Sequence, residues 1–201
     1  MLFKYQLILA DPPWRYNDQG TRLSPAYEGK QRKSGQRYET MSLEEICQLG
    51  DWVRWISADN AILLLWSTNP IKETHPWPVI RAWGFRYSTS IPWIKARWDQ
   101  KQGRFVYNIS GGHTVRSCSE ELMVCTRGKG ASLVVNRAIP EAIISPARRI
   151  HSTKPNEQYT IAERLVPGGR YIELFARNRR QGWDAWGDQL NGWHHLFKIT
   201  A

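Results

Sequence analysis

The sequence predicts a three-layer α/β domain, a sheet of largely buried strands with helices on both faces. Two observations predict it. Short apolar runs with little alternation recur, as in strands buried on both sides, and helix signals fall between them. At 201 residues with 41% hydrophobic residues, the chain can bury one sizeable core and is read as a single domain over 1–201.

The first run, Gln6-Leu7-Ile8-Leu9-Ala10, is stopped by Asp11 and two prolines, so Asp11 should stand where a central strand ends. Arg15 to Arg37 turns to Gly, Ser, Pro, Gln and basic residues and reads as a long irregular loop. Ser42-Leu43-Glu44-Glu45 matches a capping box, and helical spacing continues toward Trp55. A buried strand follows over Ala61 to Trp66, then a short helix from Pro78 to Trp83 ended by Gly84, then an extended run from Tyr87 to Lys95.

Arg97 to Cys118 is polar, basic and glycine-bearing, with Trp98, Phe105 and Tyr107 among its cations. It is either a solvated hairpin or a clasp for nucleic acid, since cations hold phosphates and aromatics stack on bases. Further strands are expected over Glu121 to Thr126, Leu133 to Asn136 and Ala142 to Ile144. Thr153-Lys154-Pro155 opens a helix that Pro167-Gly168-Gly169 ends, and Arg170 to Phe175 is the last strong buried strand.

Composition narrows the function classes. Twenty-eight Lys and Arg against eighteen Asp and Glu give a net charge of +10, which suits a chain that meets phosphates, although a merely basic soluble protein would look the same. Three cysteines without a C-x-x-C pair, and histidines without metal-ligand spacing, imply neither a disulfide framework nor a metal site. No run approaches a membrane span and the start does not form a signal peptide, so a cytoplasmic protein is expected.

Open α/β sheets bind ligands beyond the carboxyl ends of their strands. Two strands end in chemically loaded sequences there: Asp11-Pro12-Pro13-Trp14 and Arg177-Asn178-Arg179-Arg180. An ionised Asp11 and a backbone carbonyl of the next turn, that of Pro12, form a pair of strong acceptors suited to the two hydrogens of an amine. Proline fixes the turn and carries no competing N–H, and Trp14 can stack on a flat ring. Asp-Pro-Pro is also ordinary turn chemistry, and the tetrapeptide alone leaves open which amine or amide is the target.

The chain resembles the adenine-N6 methyltransferase family of the messenger-RNA methylating catalytic subunits and their bacterial and phage DNA relatives. The resemblance runs through Ala10 to Trp14, Tyr38 to Ser42, Leu64-Leu65-Trp66, Trp83-Gly84-Phe85, Trp93-Ile94-Lys95 and Gly112-His113. It continues through His151 to Pro155, Glu163-Arg164-Leu165, Ile172 to Arg177 and Trp183 to Leu190. It implies a Rossmann-like fold with permuted order, the catalytic motif preceding the cofactor-binding strand, so that no G-x-G-x-x-G is needed near the N-terminus.

The resemblance further implies S-adenosylmethionine as cofactor and Asp11, Pro12, Pro13 and Trp14 as the catalytic loop. Lys154 would meet the cofactor carboxylate, Arg177 and Arg180 its ribose or carboxylate region, and Asp188 and Gln189 its adenosine part, with Asp188 replacing the common Asn. Asp11 would share in cofactor binding, and His113 is a pocket candidate. The expected reaction is methylation of the adenine N6 amine in DNA, with RNA as the alternative. Flipping the base from a duplex costs a few kcal/mol. A silent nucleic-acid-binding subunit is the alternative of another class, and a protein glutamine methyltransferase is disfavoured because it prefers Asn before Pro-Pro and Tyr after. The family's tendency to pair implies a homodimer or a related methyltransferase-like partner.

Overall fold

A computed structural model describes residues 4–15, 40–109, 114–147 and 153–191, the side chain of Asn191 excepted. Nearly all of the expected 15–37 loop, together with His113, lies outside the described residues.

The elements in chain order are β1 (Tyr5–Ala10), α1 (Leu43–Gln48), α2 (Gly50–Ile56), β2 (Ser57–Thr68), α3 (Pro76–Ala82), β3 (Arg86–Asp99), β4 (Arg104–Tyr107) and β5 (Ser119–Arg127). Then come β6 (Ile143–Ser145), α4 (Glu157–Leu165), β7 (Tyr171–Leu174), β8 (Trp183–Trp186) and α5 (Asp188–Asn191). The strands form one sheet in the order β4-β3-β5-β2-β1-β7-β8, with β6 added to β3.

β1 lies between β2 and β7 and is parallel to both. Its last four residues are at most 1% exposed, which is why the run shows no alternation. Leu7 and Leu9 join Ile62, Leu64, Ile161 and Ala162 in one core cluster, bringing in α4. Ile8 and Ala10 join Leu63, Leu65, Ile46, Val53 and Val79 in the other, bringing in α1, α2 and α3. Helices therefore cover both faces, giving the three layers that the sequence predicts.

β5 runs antiparallel to both β2 and β3. Its first residues consequently reach the same rim as the carboxyl ends of β1, β2 and β7. The pairing of Ile94 with Ser119 brings the neighbouring Lys95 of β3 to that rim too.

Several expectations change. The capping box forms, with Glu45 N–H donating to Ser42 Oγ and Ser42 N–H to Glu45 Oε2. The helix does not run on to Trp55 unbroken: Leu49 ends α1 and begins α2, and Gly50 lies so close to the Ala82 carbonyl that a Cβ would sit 2.4 Å from its oxygen. Leu133 to Asn136 is not a strand. A 3-10 turn covers Gly130–Leu133, and Val135 N–H donates to the Leu165 carbonyl. Both edges of the nearby β2 are already taken by β1 and β5, so β propensity found no ladder to join.

α4 starts at Glu157 instead of around Pro155, which leaves Lys154 in its lead-in. β7 is followed by one more strand, β8, at the sheet edge. The 97–118 segment is in part an ordered hairpin, because β3 runs on to Asp99 and pairs with β4. Trp98 and Phe105 face each other there at 5.1 Å, each about half exposed. No helix among the described residues is long and apolar enough to cross a membrane.

Candidate active site

β1 delivers Asp11 to the carboxyl rim, and the following turn is fixed by backbone bonds. Trp14 N–H donates to the Pro12 carbonyl at 2.8 Å, Met41 N–H to the Pro13 carbonyl at 2.9 Å, and Arg15 N–H to the Met41 carbonyl at 3.1 Å. The Pro12 oxygen is thereby held in a set direction with one lone pair still to offer. Trp14 is placed differently from the expectation of an open stacking platform. It is 4% exposed, its indole N–H donates to the Trp66 carbonyl at 3.1 Å, and its ring meets His75 edge-on. In this arrangement Trp14 anchors the loop to β2.

Asp11 is joined to a chain of alternating charge. Lys154 Nζ donates to both Asp11 oxygens at 2.8 Å and lies 3.2 Å from Glu120 Oε2. Lys95 Nζ donates to Glu120 Oε1 at 2.5 Å. The two ammonium groups sit over tryptophan rings, Lys154 over Trp66 at 5.5 Å and Lys95 over Trp93 at 5.0 Å. Lys154 keeps 9% of its side chain exposed and Glu120 keeps 12%.

At that depth the charges set one another's proton affinities. Burial pushes the Asp11 carboxyl up while Lys154 pulls against it. For Lys154, burial alone would lower the ammonium, but Asp11 and Glu120 together hold it above its ordinary value. Burial likewise opposes ionised Glu120, and Lys154 with Lys95 outweighs it, keeping that carboxyl low.

Beside this chain an open cleft of about 260 Å³ is lined by Asp11, Lys154, Tyr159, Glu173, Phe175, Arg177 and Arg180 among others. Of the residues expected to hold a cofactor, Asp11, Lys154, Arg177 and Arg180 thus meet in one place. Arg180 also pairs with Glu163 at 3.1 Å and stacks on Tyr159. Asp188 and Gln189 do not line this cleft. They open α5 after Gly187, where a Cβ would meet the Ala176 carbonyl at 2.2 Å, so that close approach requires glycine. Phe175, between β7 and the arginines, holds φ at +63°, a strained backbone of the kind found at ligand sites.

Glu173 accepts from the Tyr159 hydroxyl at 2.8 Å. Burial is the main cause of its carboxyl being pushed up to about 7, with Asp11 adding and Tyr159, Arg180 and Arg177 opposing. A carboxyl raised by folding is protonated in the folded chain at pH values where the unfolded chain has lost the proton. Its stabilising effect is therefore greatest at low pH and fades as pH rises toward about 7. Glu173→Gln should flatten this dependence, changing the stability difference between about pH 5 and pH 8 by about 2 kcal/mol. Urea unfolding of both proteins at the two pH values checks it.

Sequence reasoning missed Glu120, Lys95, Glu173 and Tyr159. The available signal was the pair Glu120-Glu121 at the head of a buried strand: successive side chains leave opposite faces, Glu120 meeting Lys95 and Lys154 and Glu121 meeting Lys72 at 2.8 Å. Among the described residues no three His, Cys, Asp or Glu gather as a metal site.

Comparison with known proteins adds an independent finding. The MT-A70 family pattern matches residues 5–189. The chain is 34% identical to the Type II methyltransferase M.MunI of a Mycoplasma species, over 93% of this chain and 78% of that protein. It is 32% identical to the N(6)-adenosine-methyltransferase MT-A70-like protein of Drosophila melanogaster, over 96% of this chain and 28% of the other. It is 26% identical to the human N(6)-adenine-specific methyltransferase METTL4, over 98% of this chain and 40% of that protein.

Proposed function

The chain belongs to the MT-A70 family, and from that premise we propose that it transfers a methyl group from S-adenosylmethionine to the N6 amine of adenine in DNA. The observation that carries the reading is the turn after β1. There the Asp11 carboxylate, paired with Lys154, stands beside a Pro12 carbonyl held in place by Trp14 N–H.

The exocyclic amine of adenine is a weak nucleophile because its lone pair is delocalised into the ring. Asp11 accepts one amine hydrogen and the Pro12 carbonyl the other, which returns the lone pair to the nitrogen. S-adenosylmethionine supplies an electrophilic methyl on a sulfonium sulfur. As the new N–C bond forms, the old S–C pair stays on sulfur, and the nitrogen sheds a proton toward Asp11 or solvent. Positioning and fixed charge supply most of the acceleration.

The cleft suits a zwitterionic cofactor: Lys154, Arg177 and Arg180 offer cations for a carboxylate and hydroxyls, and Asp11 and Glu173 offer acceptors for an ammonium. Asp188 and Gln189 remain as contacts for its adenosine end. Trp98, Phe105 and Tyr107, all exposed on the hairpin among Arg97, Lys101 and Arg104, suit contact with unpaired bases and phosphates.

DNA is favoured because the similarity spans most of the Mycoplasma enzyme but 28% and 40% of the Drosophila and human proteins. Those names, which include an adenosine methyltransferase, support RNA as the second reading. The reaction so read is cytoplasmic, and sizing the purified protein tests pairing with a second copy. Labelled S-adenosylmethionine incubated with double-stranded DNA, single-stranded DNA and RNA, followed by nucleoside mass spectrometry, should yield N6-methyldeoxyadenosine. Product on RNA alone moves the assignment to RNA, and cofactor binding without product on any substrate leaves the silent-subunit reading standing.

A further inference from the structure

We infer that Glu120, held by Lys95, is the seat Lys154 takes when an amine docks on Asp11, which makes Glu120 a positioning residue for methyl transfer. The inference rests on the adenine-N6 reading of the site.

Lys154 as seen here occupies Asp11. Its ammonium donates to both carboxylate oxygens at 2.8 Å, while the proposed chemistry needs an Asp11 oxygen to accept a hydrogen from the amine. Two of the carboxylate's four lone-pair sites stay open, but an ammonium gripping both oxygens draws off their charge, so Asp11 accepts strongly from the amine only as Lys154 loosens. A lysine that let go without another partner would be a buried, unpaired charge, which is strongly disfavoured.

Glu120 answers that need in three ways. Its Oε2 already pairs with Lys154 Nζ at 3.2 Å, a longer and less well aligned contact than the two that Lys154 makes to Asp11 at 2.8 Å. Its Oε1 is held by Lys95 at 2.5 Å, which fixes the carboxylate with the other oxygen toward Lys154. The Trp66 ring beneath Lys154 attracts the ammonium without tying it to one acceptor. A small shift of Nζ toward Glu120 lengthens its bonds to Asp11 and returns charge to the oxygens that accept from the amine. An ammonium has three donors, so a hydrogen remains for a cofactor carboxylate. Two acids and two bases stay balanced throughout.

The test is Glu120→Gln, nearly the same shape without the charge, with Glu120→Asp as the charge-restoring variant. Glu120→Gln should lower kcat by roughly thirtyfold or more while the dissociation constant for S-adenosylmethionine stays within about threefold. The acid limb of the kcat profile should move to lower pH, since Glu120 no longer raises Asp11 while Lys154 still lowers it, Lys95, Glu173 and Arg177 being unchanged neighbours. Glu120→Asp should recover part of kcat. A readout independent of turnover is the titration of the Lys154 side-chain carbon by NMR, which should move to lower pH in Glu120→Gln, where one of the two acids that hold the ammonium up is gone.

Wild-type kcat in Glu120→Gln, or an unchanged Lys154 titration, overturns the inference. So does a loss of kcat that Glu120→Asp leaves unrecovered. A wild-type protein that methylates no nucleic acid defeats the functional reading instead, and the Lys154 titration still reports on the ion seat.

Discussion

Asp11→Asn is expected to reduce methyl transfer by roughly 10²–10³-fold, the scale for removing one preorganised group that stabilises a transition state. Cofactor affinity should stay within about threefold, because Lys154, Arg177 and Arg180 remain in the cleft. The amide keeps the shape of the carboxylate but turns a donor toward the amine and localises its lone pair less. The fold should survive, since Lys154 is left with Glu120 3.2 Å away. Steady-state kinetics with calorimetry of cofactor binding separates the effects, and a wild-type kcat in Asp11→Asn would remove the proposed mechanism.

Lys154→Met should be the more damaging change. It leaves Asp11 and Glu120 as two acids at a buried rim with their shared cation gone, and Lys95 serves Glu120 alone. Breaking a buried ion pair from one side costs about 3 kcal/mol or more. The sign with pH follows: without Lys154 the Asp11 carboxyl rises further above its unfolded value, so stability is poorest near neutrality and recovers as pH falls and the acid takes a proton. Activity should fall along with stability, since a protonated Asp11 is a poor acceptor. Urea unfolding at about pH 7 and pH 5 measures the first effect, and a variant within about 1 kcal/mol of wild type at neutral pH contradicts the buried-chain account. The family resemblance implies for Lys154 a role toward the cofactor carboxylate alone, whereas its place between two acids joins that role to the state of Asp11.

What could be read from the amino acids was whatever depended on neighbours along the chain. The run Gln6 to Ala10 has to be buried on both faces, and the charged tetrapeptide after it has to be at the rim. The capping box at Ser42 is likewise local chemistry and forms as written. Leu133 to Asn136 has the side chains of a strand, but strands need an edge, and no residue within that segment reports that β2 has none to give. Lys154 was found through resemblance. Glu120 was not, because its meaning comes from β5 running antiparallel to its neighbours, and a Ser-Glu-Glu at a strand head looks like an exposed acidic turn until that direction is known. Trp14 shows the opposite limit: an aromatic after Pro-Pro suits a stacking face, while packing assigned its indole to the Trp66 carbonyl.

The position of β1 also governs the order in which the domain can be completed. One of its edges is satisfied early, by β2, but the other must wait for Tyr171 to Leu174. Until that stretch has left the ribosome, the growing chain exposes an apolar strand edge beside the candidate site, the kind of surface that seeks other chains. Closing so long a loop is slow compared with forming a helix. The Asp11 motif is therefore among the last parts of the protein to become a site, and a protein interrupted before β7 would carry Asp11, Glu120 and Lys154 without the wall that holds them.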